Sequence, residues 1–263
     1  MHIKKITIMK FFSIISFLSI LFIAGCSKNE IIYGDYNLIS PNDAMVKINY
    51  NSSYFKNPGV FIKLNGERLT NLVTTRTVFP GGGYNVNGDV RANYLTVPAG
   101  NTTVSVVIPK KGTGIDSVEL YTTNFNVEAA KGYTVHITDT AANTKSLVTE
   151  DDLTNPPLKT SKYRFVNLMP NVAAVDLYYK DTLIVSNIGY LKASDYITKP
   201  TTPLQAWNVR ETGKPLTDPV LATYSNAGTI VEQRSYTVFA IGYKGIASTD
   251  NTRKPYVSFL FVR

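Results

Sequence analysis

Short stretches of alternating apolar and polar residues recur along this chain, with the period of half-buried β-strands. Met45 to Tyr50 (MVKINY) sets Val46, Ile48 and Tyr50 on one face. Val60 to Leu64 (VFIKL) does the same with Val60, Ile62 and Leu64, and Asn65-Gly66 follows as a hairpin turn before a return strand over 67–73. Strands are predicted at Tyr94–Val97, Thr102–Ile108, Val118–Val127 and Tyr133–Thr138. They are separated by the turn chemistry of Pro80-Gly81-Gly82-Gly83, Asn87-Gly88, Pro98-Ala99-Gly100-Asn101 and Lys131-Gly132. A second series begins at Tyr163–Asn167 and continues through Val175–Asp181, Tyr196–Thr198 and Ser235–Val238. The chain closes on Tyr256–Val262 (YVSFLFV). So apolar a strand is an aggregation hazard unless it is central or covered. No long stretch has helical apolar spacing. The expected fold is all-β: two tandem immunoglobulin-like sandwiches.

The two series keep their order. Val175–Asp181 answers Val60–Gly66, Tyr196-Ile197-Thr198 answers Tyr94-Leu95-Thr96, and the Ser235–Val238 strand answers Gly132–Val135. Two copies of one sandwich is the economical reading. The expected boundaries are a first sandwich over 41–150, a linker over 151–160 and a second sandwich over 161–263. Glu150-Asp151-Asp152 and Pro156-Pro157 predict a solvated, stiff linker.

The N-terminus reads differently. Lys4, Lys5 and Lys10 precede a continuous run of apolar residues and serine, Phe11 to Ile23, the pattern of a secretory signal. The run is shorter than the roughly 20 residues of a membrane-spanning helix. It ends at Ile23-Ala24-Gly25-Cys26, which resembles the lipobox of bacterial lipoproteins, and Cys26 is the chain's only cysteine. The resemblance implies a signal peptide over 1–25, lipid attachment at Cys26 and a lipidated tether over 26–40. Ser27 leans towards the outer membrane, with the periplasmic or extracellular face undetermined.

The strands themselves resemble the bacterial family catalogued as domain of unknown function 4397. Val60–Gly66, Tyr94–Gly100 and Val127–Val135 carry its pattern in the first copy, and Ala174–Asp181 with Arg234–Val238 carry it in the second. In the second copy Lys199-Pro200-Thr201-Thr202-Pro203 stands where the family has a Pro-Ala-Gly turn, and Asp181 where it has a hairpin glycine. The resemblance implies an immunoglobulin-like sandwich on an exported or cell-surface protein and supplies no catalytic residues.

Composition narrows the partners. The net charge is +8, and removing the three signal lysines leaves +5, scattered without a Lys/Arg run. A nucleic-acid footprint would be clustered, so none is expected. With its one cysteine given to lipid, the mature chain has no disulfide. His136 is its only histidine and alternates against Tyr133, Val135 and Ile137, so it reads as an ordinary sheet-face residue. One histidine without cysteine builds no zinc site, and no cofactor or metal is expected. Asp89, Asp116 and Glu119 sit in or near predicted turns. Glu150-Asp151-Asp152 lacks the spacing of a calcium loop. Gly81-Gly82-Gly83 has no helix after it to complete an anion cradle. Two aromatics are the weak binding candidates: Trp207, after a Pro- and Thr-rich loop, either as the core tryptophan common in sandwiches or as a platform for a sugar face, and Tyr178, facing outward if Val175, Leu177 and Tyr179 face in.

These readings lead to a non-catalytic envelope lipoprotein that binds or scaffolds. Its partners would be the membrane, through the lipid, and a glycan or another envelope protein. One alternative is a fimbrial-type subunit assembling by β-strand addition, which the YVSFLFV terminus permits. A glycan-active enzyme would need two convergent carboxylates.

Overall fold

The computed structural model describes residues 40–263 apart from residues 55, 80–81, 84–88, 92, 111, 113–114 and 226–230. The expected signal peptide, Cys26 and the tether up to residue 39 lie outside the described residues, as do Gly81 and the Asn87-Gly88 turn. Residues 39–263 form one compact unit.

The strands run, in chain order, β1 (Asp43–Tyr50), β2 (Phe61–Leu64), β3 (Glu67–Arg68), β4 (Thr77–Phe79), β5 (Gly82–Gly83), β6 (Asp89–Arg91), β7 (Leu95–Pro98), β8 (Gly100–Pro109), β9 (Asp116–Val127), β10 (Gly132–Thr138) and β11 (Lys145–Asp151). They continue as β12 (Thr160–Asn167), β13 (Ala174–Tyr179), β14 (Thr182–Gly189), β15 (Lys192–Ala193), β16 (Ile197–Pro200), β17 (Trp207–Glu211), β18 (Ala222–Tyr224), β19 (Ser235–Ile241) and β20 (Tyr256–Phe261). Among the described residues the only helix is one 3₁₀ turn, Ala141–Asn143. The protein is all-β.

Four sheets result. The order β3-β2-β8-β9 packs on β11-β10-β1-β4-β5, in which β7 also pairs with β1. The order β14-β13-β17-β18 packs on β15-β12-β19-β20-β6, in which β16 also pairs with β12. The wiring of the two central strands is alike. β1 runs parallel to β10 on one edge and antiparallel to β7 and then β4 on the other. β12 runs parallel to β19, and antiparallel to β16 and then β15.

Alternation explains each core. Ala44, Val46, Ile48 and Tyr50 of β1 meet Val60, Ile62, Val104 and Val106 from the facing sheet, with Tyr133, Val135 and Ile137 beside them. In the second sandwich Tyr163, Phe165, Tyr236, Val238, Val257 and Phe259 meet Val175, Leu177, Trp207 and Val209. The hairpin after β2 turns on Asn65 and Gly66, both at positive φ, as a two-residue turn requires. The return strand is shorter than the sequence suggests: only Glu67–Arg68 pairs with β2, and the chain touches it again at the Val60–Val73 bridge.

β20, the apolar terminus, is flanked by β19 on one side and by β6, from the first half of the sequence, on the other. β11 corrects the linker reading. Thr149 and Asp151 are buried, and only Glu150 between them is exposed. They complete an edge strand on β10, with Asp151 opposite Gly132.

Candidate functional site

The faces of β1, β10 and β11 that turn away from the first core do not meet water. They carry Lys47, Asn49, Thr134, His136 and Thr138, all buried. The outer face of the second sandwich covers them with Val166, Leu168, Phe239, Ile241 and Leu260, against which Leu147 packs. The molecule is therefore four sheets deep, with a seam between the sandwiches that is polar on one side and mainly apolar on the other.

Hydrogen bonds fix this seam along its length. At one end Lys47 Nζ donates to the Phe261 carbonyl at 2.8 Å. At the other, Thr138 Oγ1 donates to the Leu168 carbonyl at 2.8 Å, Ser53 Oγ to the Thr252 carbonyl at 3.2 Å, and Tyr243 OH to Asp139 Oδ1 at 2.8 Å. Hence β1, β10, β12 and β19 all point the same way, and the starts of both sandwiches share one pole.

Near that pole lies a charged cluster. Asp151 has a fully buried side chain. Its Oδ2 accepts from Thr134 Oγ1 at 2.6 Å and Tyr94 OH at 2.8 Å. Its Oδ1 faces Arg164 Nη1 at 3.9 Å and accepts no hydrogen bond among the described residues. Burial pushes the carboxyl up, against the pull of the Lys47 ammonium and these donors. Burial likewise lowers Lys47 to about 8, with Asp151 opposing. Lys47 Nζ also sits 3.9 Å above the Tyr94 ring, and the Arg164 guanidinium 4.2 Å above the Tyr196 ring. Tyr196 is pushed up to about 12, mainly by burial and next by the Asp151 charge. Beside the cluster, Asp152 pairs with Lys162 Nζ at 2.5 Å. A cleft of about 430 Å³ opens here, lined by Lys131, Glu150, Asp151, Asp152, Arg164 and Tyr196. Carboxylate, guanidinium and phenol rings equip it for charge pairing and hydrogen bonding. Its strongest groups are already spent on joining the two sandwiches.

His136 is a correction. It does share the face of Thr134, but that face is sealed. Its Nδ1 lies 3.1 Å from Asn49 Nδ2, so it accepts and the proton sits on Nε2, which has no partner among the described residues. Burial, then the charges of Arg164 and Lys47, push the imidazole down to about 3. A histidine enclosed in this way cannot take a proton from a bound substrate.

Trp207 takes the core role of its two readings, not the platform role. It is 1% exposed at the start of β17, in the second core, with its ring centroid 4.8 Å from Tyr163, 5.0 Å from Tyr179 and 5.2 Å from Phe259. It offers no platform to a sugar. Tyr178 lies half-buried on the outer face of the same sheet, with Arg210 5.8 Å from its ring. Asp89 opens β6, Asp116 opens β9 and Glu119 lies within β9, and these two strands belong to different sheets. Gly82–Gly83 pairs with β4 as strand, not as a free loop. Among the described residues no group of three His, Cys, Asp or Glu is placed to hold a metal ion. Among them, too, no helix is long and apolar enough to cross a membrane.

The seam was not found from sequence. Alternation places Lys47, Thr134 and His136 on one face but does not say what covers it. No local signal marks it, because a lysine on the polar face of an alternating strand such as MVKINY is ordinarily solvated.

Comparison with known proteins adds one finding. A family model described as Domain of unknown function (DUF4397) matches residues 76–178, less than half of the chain, and the match takes in strands of both sandwiches. No curated protein matches the sequence.

Proposed function

We propose that this chain is a non-catalytic envelope lipoprotein. In this reading it is held by lipid at Cys26 and presents two tandem copies of one sandwich as a single rigid module that binds or scaffolds at the outer membrane or cell surface. The observation that carries the reading is the fusion of both sandwiches through the buried seam. A body locked along its length from Lys47–Phe261 to Tyr243–Asp139 suits presentation of a surface rather than closure around a substrate. The lipobox resemblance at Ile23–Cys26 supplies the anchor. The common wiring of β1 and β12 supports the repeat. The partner is another envelope component, and the loops between strands are the surface offered to it. Pairing of β20 on both edges weighs against assembly by strand addition.

The test is protease accessibility on intact cells beside a Cys26→Ala variant, with labelled fatty acid as the second readout. Incorporation of label that Cys26→Ala abolishes supports the anchor. Unlabelled wild-type protein overturns it. Cleavage on intact cells places the module outside, and protection until the outer membrane is permeabilised places it in the periplasm.

A further inference from the structure

Eight large apolar side chains are well exposed among the described residues. Four of them, Leu158, Leu183, Leu204 and Val231, gather at one end of the second sandwich. Hydrogen bonds tie their loops together. Lys159 N donates to Glu232 Oε2 at 2.7 Å, Gln233 N to the Thr160 carbonyl at 2.7 Å, and Thr201 N to the Lys159 carbonyl at 3.1 Å. Lys180 N donates to the Ala206 carbonyl at 2.7 Å, which brings in the turn before Leu183, and Tyr179 OH donates to the Pro203 carbonyl. The four side chains are between 40% and 68% exposed, one on each of four adjoining segments. Lys159, Lys180, Lys199 and Arg234 stand among them, against Asp181 and Glu232. This end is thus apolar and net positive.

It is also the end from which the chain leaves the body. Met45, just inside the start of β1, lines a cleft of about 320 Å³ with Leu153, Val262 and Arg263. Arg263 in turn holds the start of β19, where Ser235 N donates to its carbonyl at 2.8 Å. Ser40 caps the approach to β1, its N donating to Asp43 Oδ2 at 3.2 Å. From Ser40 back to Cys26 are fourteen residues, a reach of at most about 50 Å.

We infer that this end of the second sandwich rests on an anionic lipid surface, with Leu158, Leu183, Leu204 and Val231 entering the interface and the four cations facing lipid phosphates. The inference rests on the membrane-anchor reading and adds an orientation to it. Apolar side chains that enter the headgroup boundary and cations that meet anionic lipid are the two ingredients of peripheral membrane binding. On the first sandwich's side of the pole, Lys131 is already paired with Glu128 at 2.8 Å and Glu150 at 3.1 Å. Contact is therefore through the second sandwich, with the tether anchoring beside it.

The test uses residues 26–263 with Cys26→Ala, the whole chain after the expected signal but without lipid. The probe is sucrose-loaded vesicles of phosphatidylglycerol and phosphatidylethanolamine, with phosphatidylcholine vesicles for comparison, read by co-sedimentation. The expected result is partition into the anionic vesicles that weakens with salt and falls about tenfold or more in the double variant Leu158→Glu/Leu204→Glu. Lys159→Glu/Arg234→Glu, which leaves the apolar residues in place, weakens it as well. Leu72→Glu/Leu216→Glu, away from these loops, leaves it unchanged. No sedimentation with anionic vesicles, or sedimentation indifferent to the first two variants, overturns the inference and returns the patch to a protein partner. Neither result touches fatty-acid labelling of Cys26, which tests the anchor separately.

Discussion

His136 gives the sharpest test of the buried seam, because it is the only histidine in residues 26–263. The unfolded imidazole has a pKa near 6.5, and the folded one is pushed down to about 3 by full burial beside Arg164 and Lys47. A group whose folded pKa is depressed lends stability that is present above the unfolded value and lost as pH falls towards the folded one. Each pH unit within that window is worth about 1.4 kcal/mol, so descent from pH 7 to pH 5 removes about 2 kcal/mol, and the whole window about 5 kcal/mol. For a body of this size the first step lowers the midpoint of thermal unfolding by about 4–8 °C. Asp151, whose carboxyl is raised, has the opposite sign: it lends stability at low pH and loses it as pH rises. The prediction is therefore carried by the difference between the wild type and His136→Phe. Urea unfolding followed by Trp207 fluorescence at pH 7, 6 and 5 measures it. Trp207 is the only tryptophan and sits in the other sandwich's core, so its signal also reports coupling across the seam. The wild type loses about 2 kcal/mol more than the variant between pH 7 and pH 5. A difference under about 0.5 kcal/mol would mean that His136 is solvated and that the seam opens.

Two further perturbations test the same architecture. Asp151→Ala takes the acceptor away from the Thr134 and Tyr94 hydroxyls beside the buried Lys47 and costs about 2–4 kcal/mol at pH 7. Adding Lys47→Met recovers part of that loss, and strictly additive effects in denaturant unfolding would show that the two side chains do not interact. Gly242→Ala destabilises by about 2–4 kcal/mol. The glycine sits at φ +89°, and a Cβ there would meet the Lys254 carbonyl oxygen at 2.1 Å, so a wild-type melting temperature in that variant would refute the turn geometry.

The sequence reading reached as far as local periodicity reaches. YTVHIT and MVKINY alternate, and their apolar sets are the first core. The Asn65-Gly66 turn needed only two residues to be legible, and YVSFLFV called for a central or a covered strand, of which the structure has the central one. What failed was long-range. Glu150-Asp151-Asp152 has the composition of a solvated linker. The partners that bury Asp151 are Tyr94, Lys47 and Arg164, two of them more than fifty residues away. Trp207 follows a loop-like stretch, and nothing local says that Tyr163, Tyr179 and Phe259 converge on it from three other strands. A face is visible in one sequence, but what covers it depends on the whole chain.

The unequal chemistry of the seam bears on the order in which the chain is made. The first sandwich contributes Lys47, Asn49, Thr134, His136 and Asp151, side chains that water solvates well. The second contributes Val166, Leu168, Phe239, Ile241 and Leu260, which water does not. A newly synthesised first half can wait in solvent with its polar face uncovered. The second half meets an already assembled surface as its last strand arrives, so its sticky side need never stand open to other molecules. With the order of the halves reversed, the greasy face would emerge first and wait unprotected.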